Sequence, residues 1–153
     1  MKTALLPTLS NEIPSEVEIT TTTRQDIPEI IALMKNSPEV SWCEWEDISI
    51  LEKAILDNPN TNLVAKKSNK IIGAIIGGSF GVRGTISHLL VKESYRYQGL
   101  GCALAKQALK SFKLLGIQRI FLFVINDNLV GYNFWHKMGF QLTEGETTFE
   151  VDL

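Results

Sequence analysis

The stretch from Thr85 to Gly116 constrains the fold more than any other part of the chain. It opens with TISHLLV, a β-branched and apolar run that is typical of a half-buried strand. The loop Arg96-Tyr97-Gln98-Gly99-Leu100-Gly101 follows, and apolar residues then recur at helical spacing at Leu100, Leu104, Ala108, Phe112 and Leu115. Gly116 is a typical helix stop. The stretch therefore predicts a strand, a glycine-containing loop and a long helix in direct succession.

The two glycines of this loop fall where the predicted helix begins. A helix start carries unpaired backbone N–H groups and a partial positive charge, and Gly99 and Gly101 have no side chain to keep an anion away from them. We interpret the loop as a pyrophosphate site, although glycines also serve tight strand-to-helix turns. A Walker-type loop is excluded because no Gly-Lys-Ser/Thr follows. A dinucleotide fingerprint is excluded because Leu104 stands where its third glycine is needed.

The rest of the chain alternates between strand and helix patterns. In chain order we expect a strand, two helices, three strands, a helix, a strand, a helix and a final strand. The expected ranges are 17–23, 27–37, 47–57, 63–67, 71–78, 85–91, 100–115, 119–125, 126–137 and 147–152. Ser68-Asn69 is expected to close a hairpin, and residues 77–81 to turn the chain. With no internal repeat and no linker, this order predicts a single α/β domain with a mixed sheet.

Composition and charge narrow the class of protein. The 153 residues carry 15 basic and 17 acidic side chains, and without a basic excess we expect no nucleic-acid partner. Two cysteines and two histidines match no zinc spacing, so we expect no metal. No apolar run reaches the ~20 residues of a membrane helix, and the N-terminus lacks a secretory hydrophobic region. We expect a cytoplasmic protein with no membrane partner, a loose leader at 1–15 and one domain at 16–153.

A second block gives the glycine loop a specific interpretation. Residues 128–140 read NLVGYNFWHKMGF. The succession strand–Arg-x-x-Gly-x-Gly–helix resembles the coenzyme A signature of the GNAT N-acetyltransferase superfamily, and residues 128–140 resemble the Asn…Phe-Tyr-x-x-x-Gly-Phe block of the same family. The two blocks lie in the family's order, and the element order also matches. The resemblance implies an α/β (α+β) fold, in which a mixed, mostly antiparallel twisted sheet is flanked by about four helices.

This resemblance implies that acetyl-coenzyme A is the acetyl donor, and it places the donor's site residue by residue. In the family, the end of the fourth strand binds the pantetheine arm through its backbone, the glycine loop binds the pyrophosphate, and the helix-opening asparagine contacts the arm. The implied contacts are Leu89, Leu90, Val91, Arg96, Tyr97, Gln98, Gly99, Leu100, Gly101, Cys102 and Asn128. Asn128 also suits a helix N-cap, and the two roles are compatible.

The implied reaction is direct attack of a neutral amine, on a small molecule or a peptide, on the thioester. The N–H of Val91 is the candidate donor to the oxyanion. Candidates for the base that removes the amine proton are Glu44, Glu46, Asp127 and His88. Some family members carry a glutamate on the fifth strand, but the aligned position here is Phe123.

Three of these candidates, Glu44, Glu46 and His88, have an alternative structural role. Trp42, Glu44, Trp45 and Glu46 lie where the family has its acceptor-binding wall, and an acidic pair suits a cationic amine. Alternatively, the tryptophans belong to the core and the glutamates to the solvated surface. His88 is likewise either directed at the cleft or a packed or surface residue.

The second block departs from the family at one chemically meaningful position. Trp135 replaces the tyrosine that normally is proposed to protonate the leaving thiolate, and an indole does not give up its proton at neutral pH. Tyr132, one helical turn earlier, is the remaining candidate acid. The departure keeps two alternatives open: a non-catalytic acyl-coenzyme A binding module of the same fold, and a partner-binding domain with vestigial motifs. A homodimer formed by sheet-edge pairing is also compatible with the sequence.

Overall fold

The computed structural model describes residues 13–41 and 47–153, and these contain five strands and four α-helices. The strands are β1 (Val17–Thr21), β2 (Leu63–Lys67), β3 (Lys70–Phe80), β4 (Arg83–Val91) and β5 (Arg119–Phe121). The α-helices are α1 (Ile27–Lys35), α2 (Ile48–Asp57), α3 (Leu100–Leu114) and α4 (Leu129–Lys137). Short 3-10 turns at Arg24–Asp26 and Glu93–Tyr95 precede α1 and the glycine loop. In this part of the chain no helix is long and apolar enough to cross a membrane.

The strands form one sheet in the order β1-β2-β3-β4-β5. The first four pair in antiparallel fashion, and β5 pairs with β4 in parallel. A parallel pair needs a crossover connection, and α3 supplies it between β4 and β5. The expected single domain, with a mixed and mostly antiparallel sheet flanked by four helices, is confirmed.

Helices cover both faces of the sheet. On one face α3 packs through Leu104 and Phe112. On the other face α1 and α2 pack through Ile30 and Ile55. Residues 71–77 of β3 are all buried, because this strand lies in the middle of the sheet between the two helical layers. A strand covered on both sides is apolar throughout, as the sequence pattern indicated.

Asp26 fixes the start of α1 and connects it to the sheet. Its carboxylate accepts hydrogen bonds from the backbone N–H and the hydroxyl of Thr23, both at 2.9 Å. The other carboxylate oxygen lies 2.7 Å from the ammonium of Lys66 on β2. The contacts of buried Asp26 therefore combine a cap of the 3-10 turn that leads into α1 with a contact between layers.

Several expected boundaries are wrong, and pairing explains the differences. The chain turns at Gly81-Val82 rather than over residues 77–81, because β3 keeps pairing with β4 as far as Phe80 opposite Arg83. The parallel strand ends at Phe121 rather than at 125. Leu115, expected to face inward, is 50% exposed because α3 ends one residue before it. The hairpin at Ser68-Asn69 is confirmed, with the positive φ angles of 49° and 61° that a two-residue loop requires.

The final strand expected at 147–152 is not formed. Residues 141–153 are exposed and adopt neither helix nor strand. The alternation that predicted a strand places Phe149 and Val151 on one side, but these side chains are 90% and 80% exposed. A strand needs a neighbour to pair its backbone groups, and no described strand pairs with this segment. Of the expected leader, residues 1–12 lie outside the described residues, whereas Ile13 packs against the core.

A β-bulge interrupts β4 shortly before its end. Ile76 of β3 lies opposite His88, but the next residue, Gly77, lies opposite Ile86, so Ser87 has no partner across the ladder. Bulges bend a strand and re-aim its side chains. The end of β4 that follows, from His88 to Val91, borders the candidate site.

Candidate functional site

The sheet opens between β4 and β5. Pairing between these strands is limited to Arg83–Thr85 of β4 against Arg119–Phe121 of β5. Beyond these pairs β4 and the segment that follows β5 diverge, and a cleft of ≈ 1080 Å³ lies between them. Its lining comes from β4, the glycine loop, the segment after β5, and α4. A gap of this size in a sheet exposes backbone groups that a ligand can pair with.

The backbone of β4 presents alternate residues to this cleft. The N–H of Lys92 bonds to the carbonyl of Ile72 on β3 at 2.8 Å. In an antiparallel ladder every second residue shares that direction, so Leu90 faces β3 while Leu89 and Val91 direct their N–H and C=O groups toward the cleft. Leu89 and Val91 also line the cleft.

Leu90 is therefore placed differently from what the resemblance implied. Its backbone groups face β3, and its side chain is only 1% exposed, within the cluster under α1 and α2. The alternation of a strand sends neighbouring residues to opposite sides. Leu90 does not belong to the cleft, whereas Leu89 and Val91 do.

The glycine loop places the start of α3 at the cleft. Gly99 is the N-cap residue with φ of 83°, and no side chain caps the helix there. The first helical hydrogen bond runs from the Ala103 N–H to the Gly99 carbonyl at 3.0 Å. The N–H groups of Leu100, Gly101 and Cys102 precede that bond and have no acceptor within the helix. Three backbone donors at the positive end of a helix can bind an anion.

The two glycines have different structural reasons. A Cβ at Gly99 would meet no atom within 4 Å. Glycine is therefore favoured at this position by the left-handed backbone and not by a lack of space. A Cβ at Gly101 would lie 3.6 Å from Val91 and Phe134, an ordinary contact distance. Gly101 lines the cleft, and so does the side chain of Cys102. Leu100 is 2% exposed and points into the core, which leaves only its N–H for a ligand.

The residues before Gly99 divide between structural and cleft positions. The guanidinium of Arg96 donates from Nε to the Val91 carbonyl at 3.0 Å and forms an ion pair with Glu39. Tyr97 has a φ of 59°, lines the cleft and is 90% exposed. Gln98 does not line the cleft, because its side chain donates to the Ser94 carbonyl at 3.1 Å.

Asn128 opens α4 at the opposite side of the cleft. Its Oδ1 accepts from the Gly131 N–H at 2.8 Å, which confirms the N-cap role. Its Nδ2 donates to the backbone carbonyl of Glu39 at 3.4 Å. Asn128 lines the cleft, so the cap and a ligand contact remain compatible.

His88 lines the cleft beside the bulge. Its Nδ1 lies 3.0 Å from the Ser87 hydroxyl, and its Nε2 lies 3.4 Å from the Ser41 carbonyl. A carbonyl only accepts hydrogen bonds, so the Nε2–H tautomer suits this contact and makes Nδ1 the acceptor. Ser41 and Ser87 line the cleft as well. The arrangement holds the imidazole by both nitrogens at the cleft wall.

The aromatic residues of α4 separate into two groups. Trp135 lines the cleft and packs edge-on against Phe134 and Phe140, each with centroids 4.9 Å apart. Tyr132 does not line the cleft, because its ring lies against His136 at a centroid distance of 4.6 Å. The candidate acid therefore does not reach the site that Trp135 borders.

Of the remaining base candidates, only Asp127 belongs to the described residues. Glu44 and Glu46, with Trp42 and Trp45, lie outside the described residues. Asp127 is exposed and does not line the cleft. Phe123, in the position aligned with the family's glutamate, lines the cleft and is 79% exposed.

Sequence reasoning missed Glu39 and Ser87. Glu39 belongs to the same acidic and aromatic segment as Glu44 and Glu46, but nothing in the residue pattern separates it from them. Ser87 reads as an ordinary alternating strand residue, and only the shift in register reveals the bulge. Among the described residues, no group of three His, Cys, Asp or Glu side chains is placed to hold a metal ion.

Comparison with known proteins gives a consistent family. Residues 27–140 match the family described as "Acetyltransferase (GNAT) family". An acetyltransferase of Sodalis glossinidius (strain morsitans) is 27% identical over 129 residues, which cover 84% of this chain and 89% of that protein. An acetyltransferase of Pectobacterium atrosepticum is 28% identical over 101 residues, or 65% of this chain and 72% of that protein.

Solved structures share the fold. Ard1 from Thermoplasma volcanium superposes with a TM-score of 0.75 at 22% identity, covering 84% of both chains. A chain of the NatC complex bound to Gag peptide and CoA superposes with a TM-score of 0.74 at 20% identity, covering 84% of this chain and 87% of that one. An aminoglycoside acetyltransferase, meta-AAC0020 from a soil metagenomic sample, gives 0.71 at 21% identity, covering 93% and 99%.

Proposed function

Since this chain belongs to the acetyltransferase (GNAT) family, we propose that it transfers an acetyl group from acetyl-coenzyme A to an amine. Attack occurs directly, within a complex that holds both substrates. The observation that carries the proposal is the joining of two features in one cleft. These are the backbone edge of β4 at Leu89 and Val91, which β5 does not pair with, and the N–H groups at the start of α3 that have no acceptor within the helix.

The two features match different parts of the donor. The pantetheine arm carries amides, which pair with the outward N–H and C=O groups of Leu89 as a neighbouring strand would. The Val91 carbonyl already accepts from Arg96, which leaves the Val91 N–H for the reacting group. The pyrophosphate is an anion and lies on the N–H groups of Leu100, Gly101 and Cys102. Tyr97 and Gly99 shape the loop around it, and the amide of Asn128 contacts the arm from the α4 side. Arg96 holds the loop against the end of β4 through its bond to the Val91 carbonyl.

The transfer needs a donor for the oxyanion. The amine nitrogen attacks the thioester carbonyl carbon, and the carbonyl oxygen becomes negatively charged in the tetrahedral intermediate. The N–H of Val91 points into the cleft and stabilises that charge. The carbon–sulfur bond then breaks, giving the acetylated amine and coenzyme A.

His88 is the proposed base. It takes the proton that the amine must lose at Nδ1, which lies 3.0 Å from the Ser87 hydroxyl. A relay through Ser87 would require this hydroxyl to turn away from the Ile76 carbonyl, to which it donates at 3.3 Å. The contact of Nε2 with the Ser41 carbonyl keeps the ring oriented. The leaving thiolate needs no dedicated acid, because a thiol titrates at about pH 8.5 and its anion is a tolerable leaving group near neutral pH.

The acceptor is an amine of a small molecule or a peptide. Proteins of this fold act on both, since the solved structures include a complex with a Gag peptide and an aminoglycoside acetyltransferase. Glu44 and Glu46 favour a cationic acceptor in this proposal, because a pair of carboxylates attracts an ammonium group.

Two measurements on the purified protein test this function. Acetyl-coenzyme A at 100 times its dissociation constant should stabilise the fold by about 2.7 kcal/mol, a readily measured rise in melting temperature. Release of free thiol should then be followed with polyamines, amino acids, aminoglycosides and N-terminal peptides as acceptors. Binding without turnover on any acceptor would support the non-catalytic module instead, for which Trp135 at the cleft is the argument. Absence of binding at millimolar acetyl-coenzyme A would overturn both.

A further inference from the structure

Glu39, in the connection between α1 and α2, contacts both sides of the cleft. Its carboxylate forms an ion pair with Arg96, which in turn bonds to the carbonyl of Val91 at 3.0 Å. Its backbone carbonyl accepts from the Asn128 amide at 3.4 Å. One residue thus joins the end of β4 and the glycine loop to the start of α4. Glu39 itself lines the cleft.

We propose that Glu39 is a positioning residue for the transfer reaction: through Arg96 it holds the Val91 backbone and the glycine loop in register with Asn128. The proposal rests on the acetyltransferase function proposed above and deepens it. It assigns no proton transfer to Glu39. The carboxylate acts only by fixing a guanidinium that touches the reacting end of β4.

The architecture creates the need for such a contact. Sheet hydrogen bonds do not set the separation of the two cleft walls beyond Thr85, because the pairing of β4 with β5 stops there. Contacts outside the ladder therefore contribute to it, among them the Glu39 carboxylate with Arg96 and the Glu39 backbone carbonyl with the Asn128 amide. The side chains of Glu39 and Arg96 are only 31% and 33% exposed, so water screens this pair less than a fully exposed one.

The ion pair also decides the charge at the cleft. Arg96 precedes the pyrophosphate site by only a few residues, and an unpaired guanidinium there would attract phosphate. Paired with Glu39 its charge is balanced, and its Nε donor is occupied by the Val91 carbonyl. Removing the carboxylate should consequently affect the binding of acetyl-coenzyme A in opposite directions under the two roles. Lost positioning weakens binding, whereas an unpaired guanidinium strengthens it.

The test is Glu39→Gln, which keeps the side-chain length and removes the charge. Positioning predicts that kcat with the best acceptor falls about tenfold and that the dissociation constant for acetyl-coenzyme A rises. Unchanged kcat, or tighter binding of acetyl-coenzyme A at low salt, would overturn the proposal. Glu52→Gln is the matched control, because it removes the carboxylate of the Arg24–Glu52 ion pair, which lies outside the cleft. Its kinetics should equal those of the unmodified protein.

A double-mutant cycle with Arg96→Gln separates positioning from the other roles. If Glu39 acts through Arg96, the double variant should lose no more activity than Arg96→Gln alone. The pH profile of kcat/KM should keep its shape in Glu39→Gln, and loss of its acidic limb would instead make Glu39 the base. Kinetics below the melting temperature exclude a loss that is due only to unfolding. If the unmodified protein neither binds acetyl-coenzyme A nor turns over, the proposed function fails and not this proposal alone.

Discussion

Ile86 and Leu90 stand four residues apart on β4, yet their side chains enter opposite hydrophobic clusters. Ile86 packs beneath α3, and Leu90 packs beneath α1 and α2. In a regular strand an even separation keeps two side chains on the same face. The bulge at Ser87 reverses this parity. Ser87 and His88, at this bulge, both line the cleft.

Replacing Gly99 by alanine should damage both the fold and donor binding. A left-handed conformation costs a residue with a Cβ roughly 1–2 kcal/mol, and Gly99 has φ of 83°. The loop should relax away from that geometry and disturb the N–H groups at the start of α3. We expect a lower melting temperature and weaker acetyl-coenzyme A binding, measured by calorimetry.

Gly116→Ala is the control for this experiment. Gly116 has nearly the same φ, 80°, and an added Cβ there also meets no atom within 4 Å. It ends α3 at the far end from the cleft, so it should lose stability to the same degree and keep donor affinity. Equal loss of affinity in both variants would show that Gly99 acts only through stability.

Replacing His88 by glutamine should remove a pH-dependent limb from the reaction. An imidazole accepts a proton only in its neutral form, so kcat/KM of the unmodified enzyme should rise with pH through the range where histidine deprotonates. His88→Gln should lower kcat by about 10²-fold or more and flatten that rise. His136→Gln is the control, because that ring lies against Tyr132. A full pH limb in His88→Gln would assign the base elsewhere.

Tyr132→Phe should have a small effect on turnover. The Tyr132 ring packs against His136 and does not line the cleft. Loss of a true general acid typically costs ~10²–10⁴-fold, and we expect much less here. The measurement is kcat at saturating acceptor, together with the affinity for acetyl-coenzyme A. A loss within the general-acid range, at unchanged affinity, would make Tyr132 the proton donor.

In the variant Asp26→Asn, the free energy of unfolding should depend less on pH in the acidic range. Burial raises the pKa of Asp26, but hydrogen bonds from Lys66 and Thr23 and the charge of Lys66 lower it by more. The pKa therefore lies below the usual 3.8. A carboxyl group with a depressed pKa contributes stability that is fully present above about pH 3.8. This contribution is lost as the pH falls through the pKa of the folded state. The variant should cost about 1–2 kcal/mol at pH 7, and the difference should shrink below pH ~3.8.

Denaturant unfolding at several pH values measures this contribution. Asp57→Asn is the control, because Asp57 pairs with Lys53 on the same exposed helix face. Pairs of that kind contribute roughly 0.2–0.5 kcal/mol. A constant difference between Asp26→Asn and the unmodified protein down to pH 2 would contradict the assigned role of the carboxylate.

The sequence predicted the parts of the fold that local patterns determine. The helix after the glycine loop, its stop at Gly116 and the N-cap at Asn128 follow from residues within a few positions of each other. The segment at 147–152 has a strand pattern but no strand to pair with, and that is a property of distant residues. The predicted length of β5 is wrong for the same reason, because it depends on where β4 turns away from β5.

The candidate site was predictable where backbone groups define it. Gly99 and Gly101 were singled out by their place at the predicted helix start and Asn128 by the family resemblance, and all three line the cleft. Leu90 was misplaced because strand alternation, and not proximity in sequence, decides which backbone groups face outward. Glu39 was missed because its contacts reach Arg96 and Asn128, which are far along the chain. No local pattern encodes such a contact.

The early end of the β4–β5 ladder has a consequence for solubility. Although β4 is an inner strand of the sheet, its outward N–H and C=O groups beyond Thr85 have the character of an exposed sheet edge. Unpaired edges act as templates for extended chains of other molecules and promote aggregation. In the proposed complex, a donor molecule in the cleft would cover this edge. The protein should therefore self-associate more readily when empty than when loaded, and coenzyme A should act as a solubilising additive during purification.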